Sequence, residues 1–139
     1  VKAFFDTSAF AKRYIAEPAS GKVIEICEQA DELIVSVVCL PELVSAFCRL
    51  MRERRLSRPD YRKLKDLVTT DLGGADICQV TSAILEFAIP LLEAHPLRSM
   101  DALHVACALA VQPDIFVSAD HRQLSAAKKS GLKVVDVSR

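Results

Sequence analysis

Residues 100–120 read Met-Asp-Ala-Leu-His-Val-Ala-Cys-Ala-Leu-Ala-Val-Gln-Pro-Asp-Ile-Phe-Val-Ser-Ala-Asp. Ten of the first twelve are apolar and cover every side of a helical wheel, so this stretch predicts a buried helix. Its two polar residues, Asp101 and His104, stand three apart and share one face. The helix is expected over residues 99–112. Ile115–Ser118 then predicts a strand that runs directly into Asp120. A buried helix followed by a strand that ends on an acid belongs to an α/β domain, whose ligands gather at the carboxyl ends of parallel strands.

The same grammar extends in both directions. Toward the C-terminus, a helix through Leu124 and Ala127 stops at Gly131, and Val134-Val135 forms a last strand. At the other end, residues 2–5 form a strand closed by Asp6. Thr7-Ser8 offers cap chemistry for a helix through Phe10, Ala11, Tyr14 and Ile15. A helix over Val23–Ala30 precedes the strand Leu33–Val35. Pro41 suits the first turn of a helix with an apolar stripe at Leu40, Leu43, Val44, Phe47, Leu50 and Met51. Arg58-Pro59-Asp60 opens a helix that Gly73-Gly74 breaks. Ile77–Val80 is a weak strand, and a helix follows Thr81-Ser82, with Pro90 expected to end or kink it. The alternation predicts a parallel sheet flanked by helices, without repeat or linker, in one domain over residues 1–139.

Composition narrows the function classes. Hydrophobic residues make up 51% and charged residues 26% of 139, which excludes a disordered or low-complexity chain. The five Cys (27, 39, 48, 78, 107) have no metal-type spacing and read as small apolar fillers of a reducing, cytoplasmic protein. No apolar run approaches the about 18 residues of a membrane span, and the start is too soon charged for a signal peptide. No Gly-rich phosphate loop and no Ser-His-Asp pattern is present. Net charge is zero, yet residues 49–65 hold eight basic residues against Glu53 and Asp60, a local excess of +6. Arg49, Arg52, Arg54 and Arg55 lead this stretch and suit contacts to an RNA backbone or a partner, beside the plainer reading of a solvated helix face.

Four acids carry the chemistry. Asp6 and Asp120 follow strands, Glu42 opens the helix after the second strand, and Asp101 is set in the buried helix. Each has a plain structural alternative. Asp6 and Asp120 can cap helices, Glu42 can be a first-turn acid, and Asp101 can rest on backbone N–H groups with Arg98 nearby. His104 reads first as a core histidine. Taken together, four acids converging on one sheet edge repel strongly unless cations neutralise them, and oxygen ligands suit Mg²⁺ or Mn²⁺.

The ordered set Phe4-Phe5-Asp6-Thr7-Ser8, Pro41-Glu42-Leu43, Met100-Asp101-Ala102-Leu103-His104-Val105-Ala106 and Val117-Ser118-Ala119-Asp120 resembles the PIN-domain nucleases, in particular the small VapC-type toxins of toxin–antitoxin pairs. The resemblance spans almost the whole chain. It implies a PIN-like three-layer fold with a four- or five-stranded parallel sheet. It also implies an acidic Mg²⁺ or Mn²⁺ site that hydrolyses RNA to 5′-phosphate and 3′-hydroxyl ends, a homodimer, and an antitoxin whose tail blocks the acidic pocket. On this resemblance Asp6, Glu42, Asp101 and Asp120 are the catalytic and metal-binding acids. Thr7 or Ser8, and Ser118, match hydroxyl positions that orient those carboxylates or a water on the metal. Many relatives carry a further acid after the last Asp; here His121, Arg122 and Gln123 follow, which bears on a second metal more than on the first. A haloacid-dehalogenase-like phosphatase would need a second Asp where Ser8 stands. The rival from another class is a catalytically silent PIN-like module acting through protein or RNA contacts.

Overall fold

The computed structural model describes all 139 residues, Val1–Arg139. Five parallel strands, β1 (Lys2–Phe5), β2 (Glu32–Ser36), β3 (Asp76–Cys78), β4 (Ile115–Ser118) and β5 (Val134–Asp136), lie in the order β3-β2-β1-β4-β5. The chain builds one half outward from β1 through β2 to β3, then returns to lay β4 on the other side of β1. The strand order therefore switches between β1 and β4, and the crevice beyond the carboxyl ends of those two strands is where an open α/β sheet receives ligands. Register fixes that edge: Phe5 pairs with Val117, and the next backbone N–H, that of Asp6, donates to Val117 O at 3.2 Å.

Seven helices cover the sheet: α1 (Thr7–Phe10), α2 (Ser20–Gln29), α3 (Cys39–Arg52), α4 (Arg58–Gly73), α5 (Ser82–Ala94), α6 (Ser99–Val111) and α7 (His121–Lys129). The period-two alternation of β1 divides the core into two clusters. Ala3 and Phe5 pack with Phe10, Val23, Leu43, Phe47 and Val68 from α1–α4. Phe4 points the other way, to Ile84, Ala88 and Leu91 of α5, Val105 and Ala106 of α6, and Phe116. This is the three-layer arrangement expected from the alternation of strands and helices.

Three local expectations shift. The first helix does not run through Ile15. After α1 it tightens into a 3₁₀ turn over Ala11–Arg13, which carries Lys12 inward so that its ammonium donates to Pro18 O at 2.7 Å. Pro90 does not end α5, which continues to Ala94. Pro90 is on the exposed side, while Ile84, Ala88 and Leu91 anchor both halves of the helix in the core. The helix α6 is buried over seven of its thirteen residues, Asp101 and His104 among them, but its start at Met100 is exposed. No helix is long and apolar enough to cross a membrane.

Phe4 and Phe116 stack face to face at 5.8 Å between ring centroids, both fully buried, and pin β1 to β4 at the switch point. The Phe116→Ala variant should lose about 3–5 kcal/mol of unfolding free energy in urea titration, the usual cost of emptying a packed aromatic site.

Candidate active site at the strand-order switch

Asp6 ends β1 and caps α1, with Oδ1 accepting from the Ala9 N–H at 3.0 Å. Its side chain is fully buried. Ser8 Oγ donates to both carboxyl oxygens, at 2.8 and 2.7 Å, and Ser118 Oγ, at the end of β4, donates to Oδ2 at 2.8 Å. Burial pushes the Asp6 carboxyl above the ordinary aspartate range. The His104 imidazole and the Ser8, Ala9 and Ser118 donors pull against that rise without cancelling it. A charge here is costly and is retained only with strong local compensation.

Glu42 sits in the first turn of α3, where the helix dipole favours an acid. Its Oε1 is 2.5 Å from Nε2 of His104, 62 residues away on α6, and accepts from Thr7 Oγ1 at 2.6 Å. A carboxylate only accepts, so His104 Nε2 carries the hydrogen. Burial raises the Glu42 pKa, but the His104 contact, aided by Thr7 and Arg98, overcomes it and holds the carboxyl below the usual glutamate range. The far ring nitrogen, Nδ1, is buried without a partner.

Asp101 is the third residue of α6 and is 5% exposed. Its Oδ2 accepts from the Arg98 backbone N–H at 3.1 Å and from Arg98 Nε at 3.2 Å. Its Oδ1 accepts from Gln123 Nε2 at 3.1 Å. Asp120 caps α7 through the Arg122 N–H, and its other oxygen accepts from the same Gln123 nitrogen at 3.2 Å. Arg98 is held in its charged form chiefly by its Asp101 contact, with smaller support from Asp120 and Glu42.

The structure thus brings Asp101 and Asp120 to a shared donor, Asp6 to Ser118 at the end of the neighbouring strand, and Glu42 to His104 of α6. No three His, Cys, Asp or Glu side chains stand close enough together to hold an ion in this arrangement. The plain structural role open to each acid is also realised: two caps, one first-turn acid, one acid on a backbone N–H. The hydroxyl residues divide their work. Ser8 and Ser118 serve Asp6, and Thr7 serves Glu42.

The basic stretch divides as well. Arg49 and Arg52 line a hollow of about 320 Å³ with Glu42, Ser45, Ala46 and Arg98. Arg49 and Arg55 line a larger cleft of about 520 Å³ that opens from Thr7, Ser8 and Ala119 across Ile15 and Leu50. Arg54, in the left-handed turn after α3 at φ 58°, lines neither. Two residues of the site go beyond what the sequence pattern picks out. Gln123 has one weak signal, an Asp three residues before a Gln, which is a capping pattern. His104 reads first as core, although its spacing to Asp101 already places it on the acid-bearing face.

The family model described as the PIN domain matches residues 3–129. Ribonuclease VapC45 of Mycobacterium tuberculosis is 28% identical over 133 residues, covering 94% of this chain and 92% of the relative. Among solved structures, M. tuberculosis VapC20, described as a sarcin-ricin loop cleaving toxin, superposes with TM-score 0.71 at 16% identity, covering 96% of this chain and 98% of that one. A toxin–antitoxin complex from Klebsiella pneumoniae superposes with TM-score 0.67 at 15% identity, covering 96% of this chain and 95% of that one. The PIN match over nearly the whole length, on a parallel sheet with acids at its switch point, establishes that the chain belongs to the PIN-domain family and resembles VapC-type toxin–antitoxin ribonucleases.

Proposed function

We propose that the protein is a Mg²⁺- or Mn²⁺-dependent endoribonuclease and the toxin of a toxin–antitoxin pair. The observation that carries this reading is the fully buried Asp6 carboxylate at the strand-order switch, on the same sheet edge as the Asp101–Asp120 pair and Glu42. The donor set fits a hard divalent cation. It is all oxygen, and burial penalises the charge on Asp6 until something positive compensates it. A bound Mg²⁺ or Mn²⁺ supplies charge neutralisation and an acidified water.

The residues then divide the work. Asp6, Asp101 and Asp120 would hold the cation, and Glu42 would bind it or orient a water beside it. His104 and Thr7 fix the Glu42 carboxylate from two sides, and Ser8 and Ser118 fix that of Asp6. Arg49 and Arg52, beside Glu42, receive RNA phosphates adjacent to the reacting one. Arg55 continues that basic edge into the larger cleft, and Arg54, which lines neither hollow, adds charge at its margin.

The cleft of about 520 Å³ is partly apolar and carries Arg49 and Arg55, with the buried Lys12 already paired to Glu17 in its wall, which suits an antitoxin segment approaching the acids from the Thr7–Ser8 side. The exposed stripe Leu85, Ile89 and Leu92 on α5 is a suitable face for a homodimer. Such a protein works in the cytoplasm, where its RNA substrate is. The reading as a catalytically silent binding module draws on two observations: every acid already has a protein donor, and no ready-made trio of ligands exists.

Incubation with total RNA separates the two. The nuclease reading expects cleavage with Mn²⁺, none with chelator, and 5′-phosphate ends. It also expects Asp6→Asn to lose at least about 100-fold in rate. The same variant should melt no lower than wild type without metal, because it removes a buried charge and little volume, while its Mn²⁺-induced rise in melting temperature disappears. Uncut RNA with wild type and Mn²⁺ would favour the module. RNA binding measured on Asp6→Asn should weaken on adding Arg49→Ala and Arg52→Ala. On single-stranded RNA, the slope of log affinity against log salt should become shallower by about 0.7 for each phosphate these arginines neutralise.

A further inference from the structure

Gln123 occupies the third position of α7, is 3% exposed, and spends its amide in an unusual way. One nitrogen, Nε2, lies 3.1 Å from Asp101 Oδ1 and 3.2 Å from Asp120 Oδ2, so its two hydrogens serve two carboxylates on different helices. The carbonyl end, Oε1, is buried with no hydrogen-bond partner. Ionised carboxylates only accept, so the reversed amide would set three acceptors against one another. The chain leaves an acceptor unsatisfied in order to keep the nitrogen between the acids.

Local structure explains why this residue is free to do so. Asp120 is the N-cap of α7, and a Gln at the third position commonly reaches back to the N-cap backbone N–H. Here that N–H is taken by Ser118 Oγ at 3.0 Å. The Gln123 amide is released to turn across to α6.

Resting on the nuclease reading above, we propose that Gln123 is a positioning residue: it sets the separation of the Asp101 and Asp120 carboxylates so that a divalent cation meets both already in place. A neutral amide is suited to the task. Its partial positive charge holds two like charges together without the full charge of a Lys or Arg, which would compete with the cation itself. Residues that orient ligands in this way typically govern metal affinity by 10–100-fold.

The test is calorimetric titration of MnCl₂ into the metal-free full-length chain, without RNA, in wild type, Gln123→Met and Gln123→Glu, with melting curves of each in chelator. Gln123→Met keeps the volume and removes the donor. It should bind Mn²⁺ about 10–100-fold more weakly at a temperature where it remains folded. Gln123→Glu keeps the shape and adds a third carboxylate. It should melt lower than wild type in chelator and gain more from Mn²⁺ than wild type does. Wild-type affinity, or tighter binding, in Gln123→Met overturns the inference and leaves the reading of the site intact. If Gln123→Met does not fold, Gln123→Glu decides: a metal-free melting temperature equal to wild type overturns the inference. A wild-type chain that takes up no Mn²⁺ overturns the reading of the site and this inference with it.

Discussion

The carboxylate of Asp6 is the point on which the architecture turns. It leaves β1 at the one place where the strand order reverses, with no exposure to solvent, and its oxygens collect donors from α1 and from the end of β4. Packing requires this depth. The residues before it, Phe4 and Phe5, fill opposite faces of the central strand, so the acid that follows begins below the surface. Moving it outward would lift β1 out of register with Val117. The electrostatic cost is therefore built into the fold, and the surrounding hydroxyls and the nearby His104 imidazole are the local response.

The other three acids show the same economy of donors. Glu42 and Asp101 are held by side chains distant in sequence, His104 and Gln123, whereas Asp120 is held locally, by the same Gln123 and the first turn of α7. A nest of like charges without an ion would disperse or take up protons. Here uncharged amides and hydroxyls, with His104 and one exposed Arg98, hold it together. The donors define where the carboxylates sit, yet no trio among them closes to coordination distance.

Much of this is readable from residue order. The strands ending at Asp6 and Asp120 and the apolar α6 follow from periodicity and abrupt polarity changes, and parallel α/β topology brings strand ends to one edge without further information. The five-stranded sheet lies within the expected range. What residue order hides depends on pairings that have no period. The contact between His104 and Glu42 joins residues 62 apart, and the bridge from Gln123 to Asp101 crosses two helices; neither leaves a trace in a hydrophobic pattern. The basic stretch is visible as charge, but its division is not. Arg49 and Arg52 reach the hollow beside Glu42 from α3 itself, while the left-handed turn after it places Arg55 in the cleft and Arg54 in neither. The continuation of α5 through Pro90 is hidden for a related reason: packing of Leu91 beyond it outweighs the local rule.

That a divalent cation completes this acid cluster is tested most directly by anomalous diffraction from crystals of the wild-type chain grown with MnCl₂. A manganese peak is expected within about 2.5 Å of an Asp6 oxygen and of an oxygen of Asp101 or Asp120, the reach of oxygen ligands to hard cations. No peak at the switch point, with the Ser118, Gln123 and Arg98 contacts to these acids unchanged, would contradict it.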